Sequence, residues 1–131
     1  SKKISVIYDS TQKVLASCDM AVVTSGTATL EAAILAKPMV VIYKSNKLSN
    51  FILSNFFLKT KFISLPNILS QEKIVFELRQ NQVSGKEIIE KVELTFKNKE
   101  TISDKLSSLR DSLLVTDSNK FSIALREILA K

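Results

Sequence analysis

Ser25-Gly26-Thr27-Ala28-Thr29, with Glu31 two residues further on, is the densest group of polar side chains with chemical potential in this sequence. It lies inside "MAVVTSGTATLEAAILAKPMVVIY" (20 to 43), between two short β-branched runs, and holds one of only two glycines in the chain. A glycine at the first turn of a helix lets a ligand approach the backbone without meeting a Cβ. The N–H groups of Gly26, Thr27 and Ala28 lack helical partners, and with the positive end of the helix dipole they make an anion site. The hydroxyls of Ser25, Thr27 and Thr29 add donors. Two readings stand side by side: a phosphate cradle, or a Ser25 cap with Gly26 relieving a tight turn.

Glu31 favours the first reading. A capping box places its carboxylate three residues after the Ser/Thr cap, and three after Ser25 is Ala28. Glu31 instead shares a helix face with Thr27 and Ala28, and helical side chains lean toward the N-terminus. From there a carboxylate can accept two hydrogen bonds from a vicinal diol such as a ribose. The plainer alternative is an exposed acid favoured by the helix dipole.

The elements that must position these groups follow from periodicity. "ISVIYDS" (4 to 10) reads as a strand, "TQKVLASC" (11 to 18) as a capped helix, and "MAVVTS" (20 to 25) as a strand. "GTATLEAAILA" reads as a helix stopped by Pro38, and "MVVIY" (39 to 43) as a strand. An apolar helical stretch (48 to 58), a strand "KFISL" (61 to 65), a turn at Pro66-Asn67 and a short helix near 70 to 80 follow. After Gly85 the pattern is helical, broken near 99–100 and 116–119. The strands are apolar runs, as expected of strands buried on both faces. The expected fold is a Rossmann-like α/β parallel sheet with flanking helices, in one domain whose α/β part is 1–83 and whose C-terminal helices are 84–131. Ligands in such sheets bind beyond the carboxyl ends of the strands, where "MAVVTS" delivers the chain.

The chain has 131 residues and no histidine, which excludes Ser/His/Asp and Cys/His schemes. With the single Cys18 it also excludes most transition-metal sites, so no metal and no cofactor is expected. Cys18 cannot form an internal disulfide, and its apolar helical context suits a buried thiol in a reducing, cytoplasmic compartment. No apolar run approaches the roughly 20 residues of a spanning helix. Of the net charge of +6, the excess sits in residues 1 to 83, with ten Lys/Arg against five Asp/Glu. Lys37, Lys44, Lys47, Lys59 and Lys61 fall between Glu31 and Glu72 with no acid among them, so an anionic partner is expected. Without arginine or aromatic interleaving, nucleic acid is not expected to be that partner. Residues 48 to 58 have no fully polar face; they read either as a core helix or as a patch that meets acyl chains, with the flanking lysines drawn to anionic lipid.

"TSGTATLEAAILAKPMVVIYK" (24 to 44), "ISLPNIL" (63 to 69) and "ELRQ" (77 to 80) resemble the C-terminal half of bacterial lipid-A-disaccharide synthases, inverting glycosyltransferases of the two-domain GT-B type. The resemblance spans roughly residues 4 to 83. It implies a donor, UDP-2,3-diacylglucosamine, an acceptor, 2,3-diacylglucosamine 1-phosphate, and a β-1,6-linked product of lipid A synthesis. It implies that Ser25, Gly26, Thr27 and Ala28 cradle the diphosphate, that Glu31 meets the ribose, and that Asn67, Glu77 and Gln80 contact the nucleotide sugar or close the cleft. Two departures are visible: Ser70-Gln71 stands where the family commonly has Ala-Gly, and Phe76-Glu77-Leu78-Arg79-Gln80 where it has Pro-Glu-Leu-Leu-Gln. The family's N-terminal domain, which is implied to bind the acceptor and supply the base, has no counterpart here. The resemblance therefore implies the donor-binding half of the enzyme, inactive alone, partnered by the N-terminal half and in peripheral contact with the inner membrane. The alternatives are another UDP-sugar transferase or epimerase of related fold, or a non-catalytic nucleotide-sugar-binding module.

Overall fold

The structure, a computed structural model, describes residues 4–8, 10–44 and 62–116. Their elements are α1 (Thr11–Ser17), β1 (Ala21–Thr24), α2 (Thr27–Ile34), β2 (Met39–Tyr43), α3 (Leu65–Ser70), β3 (Phe76–Arg79), a 3-10 turn (Gln80–Gln82), α4 (Gly85–Lys97) and α5 (Lys99–Thr116). The strands form one parallel sheet in the order β1-β2-β3, with Ala21 level with Met39 and Tyr43 level with Arg79. This is the expected Rossmann-like α/β layer followed by helices. The apolar helix expected at 48 to 58 and the chain beyond 116 lie outside the described residues.

One face of the sheet carries Val23, Met39 and Val41 into the main core, where Leu15, Ala32, Ala36, Ile63, Ile102 and Leu106 meet them. On the other face Val40 and Leu78 are buried beneath α4, which packs on β2 and β3. Ser10 caps α1 by accepting from the Lys13 N–H at 3.3 Å, and Ser84 caps α4 by accepting from Glu87 N–H at 3.2 Å.

α2 ends at an Ala36 with φ 53, a left-handed conformation that costs an L residue roughly 1 kcal/mol. Its methyl is buried in the core, and the helix-end carbonyls are well partnered. Ser103 Oγ donates to the Ala36 carbonyl at 2.8 Å, and an Arg110 guanidinium N–H donates to the Ile34 carbonyl at 2.7 Å. Lys37 Nζ donates to the Cys18 carbonyl at 2.8 Å, so α1, α2 and α5 are tied together at the end opposite Gly26. Cys18 is half-buried, and its thiol donates to the Leu15 carbonyl at 3.1 Å.

Four expectations are corrected. Residues 4–8 form no strand: Ile4, Val6, Ile7 and Tyr8 are exposed and have no strand beside them among the described residues, and an extended segment is stable only when its ladder is paired. "ISL" is not a strand, and Pro66 does not make a turn. Ser64 is instead the N-cap of α3, with Pro66 in the first turn, where its missing N–H has no helical bond to make. The helix expected near 70 to 80 is replaced by β3, because Val40 to Tyr43 offers a ladder to Phe76 to Arg79 and tertiary pairing outweighs even the good helical propensity of Glu, Leu and Arg.

Candidate functional site

The carboxyl ends of the three strands bring Ser25, Tyr43 and Arg79 to one end of the sheet. There the Ser25 N–H completes the β1–β2 ladder by donating to the Ile42 carbonyl at 3.0 Å, and the chain turns at Gly26 into α2. Gly26, not Ser25, is the N-cap, with φ 145 and ψ −151. That backbone conformation is essentially restricted to glycine. A Cβ built on Gly26 would meet nothing within 4 Å, so the space above the backbone is open and the requirement for glycine is conformational.

The first N–H groups of α2 belong to Thr27 and Ala28, which have no carbonyl four residues behind them in the helix. The hydroxyls of Ser25 and Thr27 make no hydrogen bond among the described residues, whereas Thr29 is turned inward. It is 1% exposed, and its Oγ1 donates to the Thr24 carbonyl at 3.3 Å, stitching the helix to the end of β1. Thr29 therefore fixes the angle of α2 and does not present a donor to the mouth. Glu31, one turn inside, stands in the seam between α1 and α2. A cleft of about 170 Å³ beside it is bounded by Gln12, Ile34 and Leu35. Its Oε2 is buried without a hydrogen-bond partner, and a carboxylate oxygen in that state is costly unless something outside the described residues satisfies it.

Asn67 and Glu77 form a second cluster. Asn67 is fully buried; its Nδ2 donates to the Val75 carbonyl at 2.8 Å and to Glu77 Oε2 at 3.0 Å. Its Oδ1 accepts from the N–H groups of Ile74 at 2.8 Å and Val75 at 3.0 Å. Glu77, whose side chain is 6% exposed, accepts from the Ser64 N–H at 2.7 Å, the Ser64 hydroxyl at 2.6 Å and the Ile63 N–H at 3.1 Å. Arg79 closes the group with a guanidinium nitrogen 3.3 Å from Glu77 Oε1. Together these bonds clamp the start of α3 to β3. Ser64 and Arg79 are absent from the set expected from the sequence. Ser64 carried a signal in its position two residues ahead of Pro66; Arg79 carried none beyond its departure from the family pattern.

Gln80 lies immediately past β3, at the same end of the sheet as Gly26, with φ 49. It opens the 3-10 turn, whose Gln82 side chain accepts from the Arg79 N–H at 3.1 Å. Gln71, in the place of the family's glycine, ends α3 with φ 58. Among the described residues no group of acids, cysteines and histidines could hold a metal ion, and no helix is long and apolar enough to cross a membrane.

A parallel α/β layer with a glycine-led helix start at its carboxyl end defines a Rossmann-like domain. Within that class the chain belongs to the lipid-A-disaccharide synthetase family, whose model matches residues 2–130. It is 33% identical to a lipid-A-disaccharide synthase of Colwellia psychrerythraea over 128 residues, 97% of this chain and 32% of that protein. The corresponding synthase of Cellvibrio japonicus is 42% identical over 97 residues, 74% of this chain and 25% of that protein. That of Hahella chejuensis is 32% identical over 130 residues, 98% of this chain and 33% of that protein. The chain thus spans between about a fifth and a third of the curated relatives it matches.

Proposed function

We propose that this chain is the donor-nucleotide part of a lipid-A-disaccharide synthase. In this reading it holds the UDP of UDP-2,3-diacylglucosamine while the sugar passes, with inversion, to 2,3-diacylglucosamine 1-phosphate. The observation that carries the reading is the start of α2: a Gly26 held in a glycine-only conformation beneath open space, with unspent N–H groups at Thr27 and Ala28. Oriented donors at a helix N-terminus stabilise the diphosphate and the negative charge that grows on it as the glycosidic bond breaks. Ser25 and Thr27 add hydroxyl donors, and Glu31 offers its unpartnered oxygen to the ribose at the α1–α2 seam. Gln80 borders the same end of the sheet, while Asn67 and Glu77 act by holding α3 and β3 in place. The base that takes the proton from the attacking hydroxyl belongs to the part of the enzyme outside these residues, as does the acceptor site. Lys44, Lys47, Lys59 and Lys61 would attract the anionic surface of the inner membrane, where acylated substrates reside.

Titration calorimetry with UDP, UMP and pyrophosphate tests the site. UDP binds the 131-residue chain, and Glu31→Ala weakens UDP by about 1.5 to 3 kcal/mol, the usual worth of hydrogen bonds to a charged group, while leaving pyrophosphate nearly unchanged. Equal weakening of both ligands overturns the ribose assignment, and absence of UDP binding overturns the nucleotide reading. Disaccharide formation by the chain alone would contradict the assignment of the base to another part of the protein.

A further inference from the structure

Arg79 ends β3 at the carboxyl end of the sheet, level with Tyr43. Side chains alternate along a strand, so Arg79 shares the face of Glu77 and, one strand over, of Val41, which is the face that meets the main core and α2. Two strand spacings, roughly 10 Å, separate β3 from β1. The chain leaves the end of β1 at Gly26, beneath open space, and enters α2. Arg79 therefore borders the mouth above Gly26 from its far side.

The ion pair with Glu77 does not account for this arginine. Glu77 already accepts from the N–H groups of Ile63 and Ser64, the Ser64 hydroxyl and the Asn67 amide, at 2.6 to 3.1 Å. The guanidinium contact to Oε1, at 3.3 Å, is longer than all of these and longer than the roughly 2.7 to 2.9 Å usual for a charge-assisted N–H donor. A carboxylate so well supplied is held in place without a cation. The Arg79 side chain is also 33% exposed, and a partly exposed ion pair at that distance costs little to leave.

The helices decide which part of a ligand this residue would meet. On the same face α2 lies between α1 and α3 and packs on both. Glu31, with its unpartnered oxygen, stands on the α1 flank of α2. Arg79 is on the α3 flank, joined through Glu77 to Asn67. A nucleoside diphosphate with its ribose at Glu31 and its phosphates over the start of α2 runs from the first flank toward the second. Its terminal phosphate is then the group nearest Arg79. A guanidinium presents a planar fork of donors that matches phosphate oxygens.

We propose that Arg79 turns from Glu77 to the terminal phosphate of the bound nucleoside diphosphate, and that it is the residue by which this site prefers a diphosphate to a monophosphate. In glycosyl transfer that phosphate carries the bond to the sugar, so the guanidinium stands where negative charge grows as the bond breaks. The inference rests on the nucleotide reading above and adds to it a contact from β3.

Titration calorimetry of the 131-residue chain, Arg79→Gln and Arg79→Lys with UDP, UMP and pyrophosphate tests it. Both variants keep a donor for Glu77. Arg79→Gln weakens UDP and pyrophosphate about 10-fold or more, the worth of hydrogen bonds to a charged group, and leaves UMP within about twofold. Arg79→Lys, which keeps the charge without the fork, recovers part of the loss. The pattern differs from that of Glu31→Ala, which spares pyrophosphate. Unchanged UDP affinity in Arg79→Gln overturns this proposal and leaves the nucleotide reading standing. Equal weakening of UDP and UMP, or loss of the fold in both variants, gives Arg79 to the clamp and overturns the proposal too. Pyrophosphate binding that depends on Arg79, with no gain for UDP over pyrophosphate, overturns the nucleotide reading alone. A chain that binds neither UDP nor pyrophosphate overturns both.

Discussion

The starts of α2 and α3 treat their polar groups in opposite ways. Ahead of α3, Glu77 accepts from Ser64 through both its N–H and its hydroxyl, from Ile63 and from Asn67, and the Asn67 amide in turn joins three backbone groups of Ile74 and Val75. At α2 the cap is a glycine with no side chain, the hydroxyls of Ser25 and Thr27 are unspent, and one Glu31 oxygen is buried without a partner. Polar residues that satisfy one another inside a fold are architecture; polar residues left wanting at a helix N-terminus are suited to a ligand. Ser and Glu serve at both helix starts, and what separates the two is whether their bonds close within the chain.

The comparison can be broken first at its buried member. Asn67→Leu leaves the N–H groups of Ile74 and Val75 and the Val75 carbonyl without their partner, and urea denaturation should show a loss of about 3 to 5 kcal/mol. A loss below about 1 kcal/mol would mean that the clamp is not structural. Glu77→Ala removes the acceptor of Ser64 and Ile63 and should cost about 2 to 3 kcal/mol by the same measurement. The protein that remains folded should bind UDP with unchanged affinity, since this carboxylate is consumed internally. If UDP weakens in step with stability, Glu77 belongs to the ligand site after all.

Gly26→Ala sharpens the other side. The added methyl meets nothing within 4 Å, so any destabilisation reports backbone strain alone, about 1 to 3 kcal/mol for a conformation that only glycine adopts readily. UDP affinity should fall as well, because the first turn of α2 must rotate to relieve that strain. The smallest loss is expected at Glu31→Gln, which should leave thermal stability unchanged or raise it, since Oε2 has no bond to lose and the amide removes the cost of an unpartnered charge. A large destabilisation there would place Glu31 with Glu77 among the structural acids.

The strand, glycine, helix, proline and strand running from Ala21 to Tyr43 were legible in the sequence because each boundary has a local cause: β-branched runs, a residue free to adopt φ 145, and a proline that stops the helix. The family was legible for the same reason, its motifs being contiguous. Tertiary structure decided what depends on a distant partner. "FELR" has no local preference strong enough to make a strand, and it is one because β2 offers a ladder; "ISVIY" has that preference and is not one among the described residues, because nothing beside it is paired. Asn67 and Glu77 look alike in sequence whether they face a nucleotide or one another. Only the packing of α3 against β3, ten residues apart in the chain, brings the amide within 3.0 Å of the carboxylate and closes the bonds within the fold.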